Sequence, residues 1–175
     1  MKRALILTQR NVQEHEFFYP YYRLREEGFE VTVATEDGQE TTGILGLKIP
    51  VDSRIDSINP DNYSLLVLPG GAKAMEYLRQ NEMALNMIRE WNQKGKVIAS
   101  ICHAAQLLIS ADSVRGKRIS GYYSIKDDIN NSGAIYVDAP FVTDGNIISS
   151  PHYKYLGPWM KESLRVFYEK NDTVY

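Results

Sequence analysis

Apolar residues in this chain gather into four short runs of strand length, at positions 4–7, 31–34, 65–68 and 97–99. The runs are nearly continuous rather than alternating, the pattern of strands covered on both faces in a parallel sheet. Between the first two runs, segment 16–28 ends in Arg25-Glu26-Glu27-Gly28, and Gly28 is a natural helix terminator. Between the third and fourth, Met83, Met87, Ile88 and Trp91 fall on one helical stripe that Gly95 closes. Helical spacing returns at Ala105, Leu108 and Ile109, and again at Met160, Leu164 and Phe167.

Two regions depart from this alternation. Residues 38–52, with Gly38, Gly43, Gly46 and the sequence Leu47-Lys48-Ile49-Pro50-Val51, predict a small antiparallel excursion. Residues 134–150 set Ile135-Tyr136-Val137 and Val142 before Asp144-Gly145 and Ile147-Ile148, which predicts a β-hairpin around the Asp-Gly turn. The whole order predicts a doubly wound, flavodoxin-like α/β fold: a mostly parallel sheet sandwiched by helices, with small β insertions. We expect one domain over residues 1–170 and a frayed tail at 171–175.

Ligands of such a sheet bind at the carboxyl ends of its strands. That rule converges on three loops: residues 8–16, Pro69-Gly70-Gly71, and Ile101-Cys102-His103. Cys102 stands between a strand and a helix, with small Ser100 and Ala104 two positions to either side, as a nucleophile elbow requires. A helix N-terminus favours the thiolate, so the pKa of Cys102 is expected to fall. An inert buried thiol is the commoner fate of a lone cysteine. His103 supplies a base or ion-pair partner.

The glycines of the second loop allow a tight turn with bare amides. Gly71 and His103 N–H groups then form a candidate oxyanion hole, with Gly70 in the same binding turn. Glu16 opens the first helix, and Pro20 cannot donate to its carbonyl; the resulting distortion is expected to aim the carboxyl at the thiol. A carboxyl so placed must be protonated or hydrogen-bonded, because two bare anions repel. His15 and His152 flank the same edge. Tyr19, Tyr21, Tyr22, Tyr122 and Tyr123 read chiefly as packing residues, some of them at a subunit contact.

Composition narrows the classes. A chain of 175 residues with 43% hydrophobic content is long enough for a full core. One cysteine excludes an intrachain disulfide, and three dispersed histidines give no ligand spacing, so neither metal nor cofactor is assigned. Twenty Lys+Arg against 22 Asp+Glu leave a net charge of −2 without a dense basic run, so nucleic acid is not an expected partner. No apolar run approaches the ~20 residues of a membrane span. The start Met1-Lys2-Arg3 lacks the apolar stretch of a signal peptide, so the expected compartment is the cytoplasm.

Five ordered segments carry a family likeness: Glu16-Phe17-Phe18-Tyr19-Pro20, Leu68-Pro69-Gly70-Gly71, Ala99-Ser100-Ile101-Cys102-His103, Ile125-Lys126-Asp127-Asp128 and Ser149-Ser150. Together they resemble the PfpI family of intracellular cysteine peptidases, in the superfamily of the parkinsonism-associated protein deglycase and class I glutamine amidotransferases. The resemblance spans residues 4–160 and implies Cys102 as nucleophile, His103 as its partner, Glu16 hydrogen-bonded to the thiol and Gly71 as an oxyanion donor. It also implies Tyr122 beside the pocket. Glu76 matches, with one inserted residue, a glutamate that reaches a neighbouring subunit's Cys-His pair in a hexamer. The implied protein is a homo-oligomer, a dimer or a trimer of dimers.

Three departures stand out. The family's Glu-Phe-Glu-Asp reads Asn11-Val12-Gln13-Glu14, its Cys-His-Gly-Pro reads Cys102-His103-Ala104-Ala105, and its Ser-Ser-Arg-x-Pro reads Ser149-Ser150-Pro151-His152-Tyr153. The expected function is a cysteine-dependent hydrolase acting on a peptide or on a small reactive carbonyl compound, in the glyoxalase or deglycase manner. The alternatives are a redox-sensing or stress-protective protein with an oxidisable cysteine, and a binding module with an idle thiol.

Overall fold

The computed structural model describes residues 1–171. Its first half runs β1 (Arg3–Leu7), α1 (Glu14–Glu26), β2 (Glu30–Thr35), β3 (Thr41–Thr42), β4 (Lys48–Ile49), β5 (Ser53–Arg54), β6 (Leu65–Leu68), α2 (Ala72–Leu78) and α3 (Glu82–Gln93). The second half runs β7 (Val97–Ile101), α4 (Ala105–Ser110), β8 (Arg118–Ile119), α5 (Lys126–Asn131), β9 (Ile135–Tyr136), β10 (Val142–Asp144), β11 (Ile147–Ser150) and α6 (Leu156–Lys170). Residues 172–175 of the expected tail lie outside the described residues.

Seven strands form one sheet in the order β10-β11-β7-β6-β1-β2-β5, parallel except for the antiparallel pair β10–β11. The four apolar runs are its central strands, and Ala4 to Leu7 and Leu65 to Leu68 are wholly shielded from solvent. Helices account for that shielding. α1 packs with α6, which also covers β7 and β11, while α3 packs with α4 and against β7. Two indoles pin these layers to strand carbonyls: Trp91 Nε1 donates to Val97 O at 3.0 Å and Trp159 Nε1 to Ile148 O at 3.4 Å.

From β1 the chain winds outward to β2 on one side and later to β6, β7 and β11 on the other. The switch point lies between β1 and β6, and the loops after both strands open there. Both predicted β insertions are present. β3 and β4 pair antiparallel, and β10 and β11 form a hairpin whose two-residue turn, Gly145-Asn146, follows Asp144 at the end of β10.

Three expectations need correction. Ile135 and Tyr136 do not join that hairpin: as β9 they pair in parallel with β8, because Pro140 lacks an amide donor and the intervening α5 makes a crossover. Met83 is exposed in the first turn of α3, at the margin of the stripe formed by Ala84, Met87, Ile88 and Trp91. Tyr19 and Tyr22 are exposed on α1, whose buried stripe is taken by Glu16, Phe17, Pro20 and Leu24. Among the described residues no helix is long and apolar enough to cross a membrane.

Candidate active site

β7 ends at Ile101, and Cys102 begins a 3-10 turn, Cys102–Ala104, that leads into α4. Cys102 has φ 60°, a left-handed backbone that L-residues other than glycine adopt only under strain. The turn is possible because Ser100, Ala104 and Ala105 are small and completely buried. The bend is fixed from the far side by Tyr122, whose N–H donates to the Cys102 carbonyl at 3.0 Å. The thiol is only 7% exposed.

Neighbouring side chains usually diverge, but at this bend His103 Nδ1 lies 3.4 Å from Cys102 Sγ. Burial lowers the His103 pKa, which favours the neutral imidazole that accepts a proton. The backbone amides of His103 and Gly71 lie close enough to the sulfur to favour its charged form. They are the pair expected to form the oxyanion hole.

Glu16 meets this group from α1. Its side chain is fully buried, and Oε1 accepts the Gly70 N–H at 2.9 Å. The carboxyl also interacts with the Cys102 thiol, while Oε2 makes no well-aligned hydrogen bond. Burial raises Glu16 to about 7, against the pull of the Gly70 amide and the thiol. α1 runs through Pro20 unbroken, and its start is set by Gln13, whose Oε1 accepts His15 N–H at 2.7 Å and Glu16 N–H at 3.4 Å. Gly70 is correspondingly a holder of Glu16, not an open amide.

Both glycines are sterically required. A Cβ at Gly70 would lie 2.5 Å from Glu16 Oε1 and 2.9 Å from Cys102 Cβ. Gly71 has φ 99°, and a Cβ there would lie 2.6 Å from Asn11 O and 2.8 Å from Gln13 N. The loops after β1 and β6 therefore interlock directly beside the thiol.

The thiol pKa does not fall as expected. Burial pushes it up, the Glu16 carboxyl adds to that rise, and the His103 and Gly71 amides oppose it. The six-residue α4 behind a 3-10 turn offers too little aligned dipole to win. Glu76 is not brought to the thiol within this chain: it is exposed on α2 and paired with Lys73 at 2.8 Å.

Two contributions escaped the sequence reading. Glu14, which read as the remnant of an acidic stretch, is buried and accepts amides of Leu45 and Leu47 at 2.8 to 3.1 Å, tying the β3–β4 insertion to α1. Tyr153 stacks on His15 at 4.8 Å and touches His152 at 4.1 Å, so residues after β11 close over the same edge. An alternation of rings in His152-Tyr153 was the available signal. Among the described residues no group of three or more His, Cys, Asp or Glu side chains is placed to hold a metal ion.

Fold and site together define an α/β protein carrying a cysteine on a strand-to-helix elbow, with an acid, an imidazole and two amides around it. Residues 2–166 match the DJ-1/PfpI family, and the chain belongs to that family. It is 43% identical over 164 residues to Deglycase PH1704 of Pyrococcus horikoshii, covering 94% of this chain and 98% of that protein. It is 32% identical over 168 residues to Protein/nucleic acid deglycase 2 of Escherichia coli, covering 94% and 97%. The crystal structure of Drosophila melanogaster DJ-1beta matches it with a TM-score of 0.86 at 26% identity, over 99% of both chains.

Proposed function

We propose that this chain is a PfpI-type cysteine hydrolase that processes small reactive carbonyl compounds in the glyoxalase or deglycase manner. One observation carries the reading: at the elbow Cys102 Sγ lies 3.4 Å from an imidazole nitrogen, beside a fully buried Glu16 carboxyl that the Gly70 amide holds in place. Two relatives named as deglycases support it.

The chemistry follows from these positions. With Glu16 near 7 and the thiol raised, the sulfur keeps its proton through neutral pH while the carboxyl is about half ionised at pH 7 and gains its proton-accepting form as pH rises. As sulfur attacks an aldehyde carbon, its proton passes to Glu16 or to neutral His103. The carbonyl π pair becomes an oxyanion at the Gly71 and His103 amides, which are already oriented. Reprotonation gives the hemithioacetal. In a 2-oxoaldehyde, Glu16 carries the proton from C1 to C2 through an enediol while the C1 hydroxyl proton passes to the C2 oxygen, which yields a 2-hydroxy thioester. Water then cleaves the thioester to the 2-hydroxy acid and restores the thiol. Water is the sole co-reactant.

Burial of Cys102, which is 7% exposed, weighs against the redox-sensor alternative, which needs an accessible thiol. We take residues 1–170 as one domain acting in the cytoplasm without nucleic acid. We also take it to act as a homo-oligomer, with the exposed Tyr19 and Tyr22 suited to a subunit contact and the exposed Glu76 able to exchange Lys73 for a neighbouring site. Initial rates with methylglyoxal, with glycated model peptides and with unmodified peptides, each beside Cys102→Ala, test the reading. Turnover of the carbonyl substrates that vanishes in the variant is expected; turnover surviving in Cys102→Ala overturns it.

A further inference from the structure

The site's outer rim is built from rings. His103, beside the thiol, stacks on Tyr122 at a centroid distance of 4.7 Å. Tyr122 and Tyr123 face His152 at 6.3 and 6.4 Å, and His152 contacts Tyr153 at 4.1 Å. Tyr153 in turn stacks on His15 at 4.8 Å with the planes 17° apart. The arc therefore begins at the imidazole that touches Sγ and ends at the residue immediately before Glu16. It runs outward from the imidazole beside the thiol along the exposed edge of the site.

Charge narrows what this arc accepts. Burial lowers His103, and burial with the Lys154 ammonium lowers His152, so both rings are neutral at pH 7. Lys154 already lies 5.7 Å over Tyr123 and 5.1 Å over Tyr155, which disfavours a second cation such as a guanidinium on the same faces. Pro151-His152 supplies no guanidinium to grip an anion with two hydrogen bonds, and the Lys154 ammonium is turned onto the Tyr123 and Tyr155 rings. What remains is a flat, uncharged group.

We propose that the arc formed by Tyr122, His152 and Tyr153 selects 2-oxoaldehydes bearing an uncharged aromatic ring over their alkyl counterparts. This selectivity rests on the carbonyl-processing reading above. An added ring pair contributes roughly 2- to 12-fold in affinity, so a substrate ring seated in the arc should lower KM rather than raise kcat.

The test compares kcat/KM for phenylglyoxal and methylglyoxal in the wild-type chain and in four variants. Tyr153→Leu and His152→Leu should each cut the aryl-to-methyl ratio roughly 2- to 12-fold through KM, while Tyr153→Phe and His152→Phe, which keep a ring, should retain it. A ratio unchanged in both leucine variants overturns the proposal. If the wild-type chain converts neither aldehyde, the carbonyl-processing reading itself fails. Ring recognition is then decided by NMR titration with 2-hydroxyacetophenone against hydroxyacetone. Shifts of the Tyr122, His152 and Tyr153 ring signals with the aryl ketone alone support the arc; equal or absent shifts overturn it.

Discussion

Cys102 has an inner and an outer side, and they are built by different rules. On the inner side Glu16, Gly70 and Gly71 are buried, Glu16 Oε1 is held by the Gly70 amide, and no added carbon fits. On the outer side the rings from His103 to His15 are half-buried or exposed and touch one another through their faces. Stacked rings tolerate exchange of one ring for another, whereas a close-packed polar junction tolerates almost nothing. Glu16, Gly70 and Gly71, which carry the family likeness, lie inside together with the departures at Asn11-Gln13 and Ala104-Ala105, while the departure at His152-Tyr153 lies outside. A close-packed polar junction thus faces a rim of stacked rings.

The largest effect should come from the inner side. Cys102→Ala should lower kcat/KM for an aldehyde by about a thousandfold or more with the circular dichroism spectrum retained. Full activity in that variant would dissolve the comparison altogether.

Next is the Glu16 carboxyl. Its folded-state pKa of about 7 lies above the ordinary 4.5, so between these values the folded chain keeps a proton the unfolded chain has lost. The resulting stability is complete below about pH 4.5 and disappears as pH rises through about 7, on the order of 3 kcal/mol in all. Glu16→Gln cannot ionise and should therefore gain by that amount relative to wild type between pH 4.5 and 8, read from urea unfolding at each pH. Parallel stability curves would show that the carboxyl does not titrate from within the fold.

Gly70→Ala should cost about 1–3 kcal/mol by overpacking, read as a lower urea midpoint, and should reduce activity by displacing Glu16. The smallest effect belongs to the rim: Tyr153→Leu should move stability by less than about 0.5 kcal/mol, since Tyr153 is 40% exposed. A larger loss would make the rim structural and blur the distinction between the two sides.

The central strands were legible because continuous apolarity is a local property that survives folding. The elbow was legible for a similar reason: Ser100 and Ala104 are small for steric causes that act within two residues of Cys102. β9 was misread because its partner β8 lies across a helix, and pairing of that kind leaves no trace in periodicity. The thiol's electrostatics were misread because they depend on how deeply Glu16 and Cys102 are buried together, a consequence of α1 packing over loops distant in sequence. Gln13 looked like a lost carboxylate, yet a neutral amide oxygen caps the helix equally well.

The left-handed backbone at Cys102 sets the chain's fitness for folding against its fitness for chemistry. Glycine adopts φ 60° without the steric cost of roughly 1–2 kcal/mol that a side chain incurs. Cys102→Gly should relieve that strain while removing the nucleophile. A library of this protein selected for heat resistance or soluble yield alone would therefore tend to accumulate well-folded, inactive members. Turnover has to be part of any selection meant to preserve the thiol.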